Sequence, residues 1–102
     1  MNNEALERIR KMEAMLSRQQ TFMDELAPVI KKLEAQIPEY QQLSQYYGSQ
    51  DYLDDLDFSE SADFPADEPH GVLSEDLTYN LLGEYYQLAV QMVDMAAQIL
   101  KN

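Results

Sequence analysis

Residues Gly71–Leu100 read GVLSEDLTYNLLGEYYQLAVQMVDMAAQIL, and this stretch decides the fold. Gly71 accepts positive φ cheaply and suits a sharp entry. Ser74 is a good N-cap, because its hydroxyl can accept from an orphan N–H of the first turn. Glu75 and Asp76 follow where acids meet the positive end of the helix dipole, and Lys101 stands at the opposite end, where a cation is favoured. Leu81, Tyr85, Leu88, Met92, Met95 and Ile99 then recur at alternating steps of four and three, which is one helical stripe. Leu82, Ala89, Val93, Ala96 and Leu100 widen it. So broad a face asks for more than one partner helix, or for one helix and a second subunit. Gly83 lies on the other side and costs about 1 kcal/mol relative to Ala in mid-helix. It is either a tolerated cost or a place where the acidic middle of the chain lies close.

Working backwards, Ser49–His70 is a compositional break. It carries Asp51, Asp54, Asp55, Asp57, Glu60, Asp63, Asp67 and Glu68, with Pro65 and Pro69. Tyr52, Leu53, Leu56, Phe58 and Phe64 are interleaved, and a disordered segment would lack such anchors. The expectation is one helical turn near Asp51–Leu56, then an irregular strap pinned by its apolar residues over 49–72.

The N-terminal half is helical by pattern. Ile9, Met12, Leu16, Gln19, Met23, Leu26, Ile30, Leu33, Ile37 and Tyr40 hold a heptad-like seam, with Gln19 its one polar member. Asn3 can cap the helix. Pro28 falls on the outer face, where water can satisfy the carbonyl freed at Asp24, so a kink is expected there and not a stop. This gives a first helix over 3–36, roughly 50 Å long at about 1.5 Å per residue. Pro38 then opens a short second helix over 38–47, with Gly48 as its stop. A single helix running through Pro38 to Tyr47 is the alternative. The last helix covers 74–101. The whole reads as one all-α domain: a long kinked N-terminal helix and a long C-terminal helix packed as an antiparallel bundle, with one short helix and an acidic connecting strap.

Charge is the most unusual feature. Of 102 residues, 19 are acidic and 7 are Lys or Arg, for a net charge of −12. All the cations but Lys101 fall within Met1–Lys32, so Leu33–Leu100 is purely acidic. That asymmetry argues against direct binding to nucleic acid or anionic lipid. It suits a basic partner surface, or it serves solubility alone. There are no cysteines, hence no disulfide framework or thiolate metal site. No apolar run approaches the roughly 20 residues of a membrane span, and the N-terminus has no apolar signal core. A soluble cytoplasmic protein is expected.

Catalytic chemistry finds few footholds. His70 is the one histidine, followed by Gly71, without the partners of a zinc or Ser-His-Asp arrangement. Three glycines make no phosphate loop. Asp55, Asp57 and Ser59 match the first offsets of a calcium loop. Glu60 stands where that loop needs Gly, and Ala66 where it needs Glu. No catalytic residue, metal ligand or cofactor is therefore assigned. The tyrosines pack at the core boundary or form a contact surface.

Two elements together resemble a bacterial family of small proteins known only as a domain of unknown function. They are Tyr46-Tyr47-Gly48-Ser49 with Tyr52 and Asp55, and Gly71-Val72-Leu73-Ser74-Glu75-Asp76 with Tyr79, Leu81 and Leu82. The chain departs from that pattern at Tyr52, where the family tends to have Trp, and at Glu68-Pro69-His70, where basic residues tend to precede the glycine. The second change removes positive charge beside the acidic strap. The resemblance implies a bacterial or phage-borne cytoplasmic protein and brings no activity with it.

Three functions remain in play. The first is a non-enzymatic protein-binding module that uses Tyr47, Asp51, Tyr52, Asp54, Asp55, Asp57, Glu60, Asp63, Asp67 and Glu68 against a basic protein surface. Its sharper form is an inhibitor of anti-nuclease or anti-CRISPR type, occupying the groove of a nucleic-acid-binding enzyme. The second is a homo-oligomerisation module, a homodimer paired through the first helix's seam. The third is a metal-dependent enzyme built on the Asp cluster, which needs converging carboxylates in a concave site.

Overall fold

The computed structural model describes residues 2–102. The described chain is all-α. A long N-terminal helix α1 (Asn2–Tyr47) is followed by a short helix α2 (Gln50–Ser59), a 3-10 turn (Gly71–Leu73) and a long C-terminal helix α3 (Glu75–Leu100). No strand occurs among the described residues. Contacts divide the chain into two units, Met1–Glu39 and Tyr40–Asn102.

The described residues of the first unit are helix alone. Asn3 lies inside α1 and not at its cap, and the helix runs through both Pro28 and Pro38. The expected break before Pro38 is therefore corrected in favour of the continuous alternative. A proline removes one N–H and crowds the carbonyl four residues earlier. Pro28, Pro38, Asp24 and Glu34 are all exposed. Water can thus take both freed carbonyls, and the apolar phase of the seam carries the helix onward.

In the second unit α1 ends at Tyr47 and α2 begins three residues later. One side chain works both ends. The Ser49 hydroxyl donates to the Tyr46 carbonyl at 2.7 Å and accepts from the Tyr52 N–H at 3.2 Å. It closes an orphan carbonyl of α1 and caps α2 with the extended backbone an N-cap requires (φ −100°, ψ 164°). Gly48 stops α1 without a left-handed conformation, since no described glycine has positive φ. α2 spans ten residues, longer than the single turn expected from its composition, and it takes up the start of the segment read as an irregular strap.

The entry to α3 follows the expected capping chemistry. Ser74 accepts from the Leu77 N–H at 3.4 Å, with Glu75 and Asp76 in the first turn. Gly71 does not use positive φ. A Cβ there would sit 3.1 Å from Leu77 Cδ1, the tip of an exposed side chain that has room to shift. Thr78 is the one buried residue among those described, 4 % exposed, and its hydroxyl donates to the Val72 carbonyl at 3.1 Å. Tyr40, in the last turns of α1, stacks on Tyr85 of α3 with ring centroids 4.3 Å apart. No described hydrophobic side chain is fully buried, so half-buried aromatics and polar caps hold this unit.

Around Gly83 a Cβ would meet nothing within 4 Å. The close approach entertained for this glycine is absent, and its cost is conformational only. Gly83→Ala should stabilise the protein by about 1 kcal/mol. Thermal unfolding should show a midpoint raised by several degrees. An unchanged or lowered midpoint would show that the open face of α3 is occupied.

Candidate protein-binding site on the acidic segment

At about 100° per residue, Asp51, Asp54, Asp55 and Asp57 fall within an arc of roughly 160° around α2. All four are exposed. The half-buried Tyr52, Leu56 and Ser59 fall together on the opposite side. The helix thus sorts the segment into a packed face and an acidic face, a division invisible in the linear alternation of acids and apolar residues. Phe58 lies inside the acidic arc, 51 % exposed, with its ring edge-on to Phe64 at 5.7 Å. Sequence reasoning treated it as an anchor only. Its i+3 and i+4 spacing from Asp55 and Asp54 was the available signal.

Tyrosines hold this helix in place. The Tyr46 hydroxyl donates to Asp55 Oδ2 at 2.7 Å. The Tyr52 ring meets Tyr46 edge-on at 5.7 Å and Tyr47 at a tilt at 5.2 Å. The Tyr52 hydroxyl reaches the Leu73 carbonyl at 3.4 Å, tying α2 to the 3-10 turn. Gln50 Nε2 donates to Asp54 Oδ1 at 3.0 Å. The bond to Asp55 pushes the Tyr46 phenol up to about 12; partial burial and the charges of Asp55 and Asp51 add to it. Tyr47 and Tyr52 are half-buried, so of the two tyrosines named for partner contact both serve first as supports.

The remaining acids do not join the α2 face. Glu60 is the C-cap of α2. Together with Asp67, Glu68 and His70 it lines a shallow cleft of about 630 Å³, floored by Leu56 and Leu73. Asp63 is exposed and lines neither feature. The ten residues named from sequence therefore separate into an acidic helix face, an acidic cleft, two supporting tyrosines and one isolated acid. His70 Nδ1 lies 2.9 Å from the Glu68 carbonyl. A carbonyl only accepts, so Nδ1 carries the proton in that contact. The His70 ring also meets Phe64 edge-on at 5.1 Å, which makes it a turn residue packed on the return segment. Asp55, Asp57 and Ser59 are helical. They cannot wrap a cation as the corresponding offsets of a calcium loop do, and the described residues hold no group of three ligating side chains.

No described helix is long and apolar enough to cross a membrane. Fold and surface together define a small all-α protein with two long helices and an exposed acidic helix between them. The chain belongs to the DUF4298 family, a domain of unknown function whose model matches residues 9–95. No curated protein and no solved structure shows significant similarity to it.

Proposed function

We propose that this protein is a non-catalytic binding module that docks the acidic face of α2 on a basic protein surface. The observation that carries this reading is the gathering of Asp51, Asp54, Asp55 and Asp57 on one exposed half of a pinned helix. Four carboxylates over about 9 Å of helix give one charge per roughly 2–3 Å. Duplex DNA carries one per about 1.7 Å. The densities are close enough for this face to compete for a nucleic-acid groove. The sharper form of the proposal is an inhibitor of anti-nuclease or anti-CRISPR type, acting in a bacterial or phage-infected cytoplasm. Phe58 amid the acids supports a protein partner, since an exposed aromatic inside a charged rim suits a contact centre.

The test is capture from a bacterial lysate by the wild-type chain and by a variant with Asp51, Asp54 and Asp57 changed to Asn, Asp55 being kept as the partner of Tyr46. A basic nucleic-acid enzyme should be retained at low salt and released at high salt, because exposed charge pairs are screened. The variant should lose it. Retention of the same proteins by the variant, or recovery of the bait alone, would reduce the acidity to a solubility device.

A further inference from the structure

We infer that the seam of α1 binds a second copy of this chain as a parallel, in-register two-stranded coiled coil over residues 9–37. Among the described residues the first unit contains one helix and nothing else, so its apolar face has no cover from them within that unit. Ile9 and Met23 are each 60 % exposed, and Met12, Leu16, Ile30 and Ile37 are exposed as well.

Heptad position a falls at Ile9, Leu16, Met23, Ile30 and Ile37. Position d falls at Met12, Gln19, Leu26 and Leu33. β-branched residues at a with leucine at d favour two parallel strands, and three of these five a positions are isoleucine. Pro28 takes position f, the outermost of the heptad, where a missing N–H faces water.

Gln19 selects the arrangement. In an antiparallel pair a d residue faces an a residue of the other strand, and every a position here is apolar. Each antiparallel register therefore buries the Gln19 amide against hydrocarbon without a partner. Parallel strands shifted by a heptad set it against Met12 or Leu26, with the same result. Only the in-register parallel pair sets Gln19 beside Gln19 of the second copy, where the two amides can bond. Arg8 at position g also meets Glu13 at the following e position of the other strand, a complementary pair in the parallel arrangement.

Charge works against this pairing in one respect. The chain leaves the coil at Ile37 on the same end in both copies, and everything after Leu33 up to Lys101 is acidic or neutral. That repulsion passes through water and is screened at ordinary ionic strength, whereas salt gives no relief to a buried amide. The coil itself is nearly neutral, with five cations and four acids over residues 9–37. The dimer should accordingly tighten as salt is raised, opposite to the partner contact of α2.

The chain has no cysteine, so single cysteines report strand direction cleanly. Ile9→Cys and Leu33→Cys would be oxidised separately and as an equal mixture, since Ile9 at a and Leu33 at d face each other in an antiparallel pair. Each should form disulfide dimers with itself, and the mixture should give no 9-to-33 product, those positions lying about 36 Å apart along the helix. Wild-type protein should sediment at twice the mass of one chain and dissociate on dilution, at lower concentrations in high salt. Adding Gln19→Leu should let the 9-to-33 product appear. A single-chain mass at every concentration overturns the second copy as occupant. A dominant 9-to-33 product overturns the parallel direction. Strict 9-to-9 pairing in the Gln19→Leu background overturns Gln19 as its determinant.

Discussion

Tyr52→Ala is expected to destabilise the second unit by roughly 2–3 kcal/mol, below the 3–5 kcal/mol of a fully buried aromatic because the ring is half-buried. Three losses combine. The edge-on contact with Tyr46 and the tilted contact with Tyr47 disappear, each aromatic pair being worth about 0.5–1.5 kcal/mol beyond its buried area. The bond from the Tyr52 hydroxyl to the Leu73 carbonyl goes too. Little else can compensate, since no described hydrophobic side chain is fully buried. Tyr52→Phe isolates the hydroxyl and should cost less than about 1 kcal/mol, in line with a long bond whose carbonyl can turn to water. Denaturant unfolding followed by near-ultraviolet circular dichroism separates the two variants. Equal stabilities for wild type and Tyr52→Ala would show that α2 is held by its Ser49 cap and the Tyr46–Asp55 bond alone. The wild-type and Tyr52→Ala chains also differ in a way that bears on function. Loosening α2 dissolves the ordered acidic arc without removing a single charge, so a partner that needs the arrangement should be lost along with one that needs the aspartates.

Much of this architecture is legible in the sequence, and the failures have definite causes. The stripe of α3 and its Ser74 cap carry strong signals, because a wide apolar face and a capping hydroxyl both depend on local spacing. Pro38 misled for the opposite reason. A proline's effect depends on whether the freed carbonyl can reach water, and that depends on which face of the helix it occupies. The length of α2 was hidden by composition. A run of aspartates reads as a loop, yet Ser49 at the N-cap and Asp51 in the first turn supply the usual start signal of a helix. The acidic face becomes visible only once that helix is granted, since Asp51, Asp54, Asp55 and Asp57 share a side at 3.6 residues per turn, whereas a strand's alternation would set Asp54 opposite the other three. Thr78 had no signal at all. A lone threonine in a helix is ordinary, and its importance lies in the Val72 carbonyl six residues earlier, which a 3-10 turn brings under its hydroxyl. The same turn explains why the segment opening at Gly71 is so compact. Tyr52 from α2 and Thr78 from α3 both fasten it, so the joint between the two helices is built from two hydrogen bonds to carbonyls of the turn and not from a shared apolar core.

The Tyr46–Asp55 bond gives the protein an alkaline limit whose sign follows from linkage. The Tyr46 hydroxyl donates to Asp55 Oδ2 at 2.7 Å. Ionising it would leave a phenolate against a carboxylate, two acceptors with no proton between them, beside the further negative charge of Asp51. The folded-state value is therefore pushed up to about 12, against about 10 for tyrosine in an unfolded chain. Between those values the folded protein keeps a proton that the unfolded chain releases. Stability must then fall as pH rises through that window. The contribution is complete below about pH 10 and is gone once the pH has passed through the folded value near 12. Phenolate absorbance during an alkaline titration should show a tyrosine step near pH 12, and chemical denaturation at stepped pH should show the matching decline. Asp55→Asn keeps an acceptor in place and removes its charge, so that step should move down toward the ordinary tyrosine range, and the alkaline decline should still begin near pH 10 but be smaller and end at lower pH. A step near pH 12 that survives Asp55→Asn would assign the shift to burial of the Tyr46 ring and take from the bond its role in fixing α2. The direction matters for the binding face too. Asp55 is held by Tyr46 on one side and belongs to the acidic arc on the other, so the same carboxylate anchors the helix and contributes to the field it presents. Asp51, Asp54 and Asp57 carry no such bond to a tyrosine among the described residues. Changing them to Asn removes charge without removing that anchor, and it is these three that separate a loss of electrostatic docking from a loss of structure.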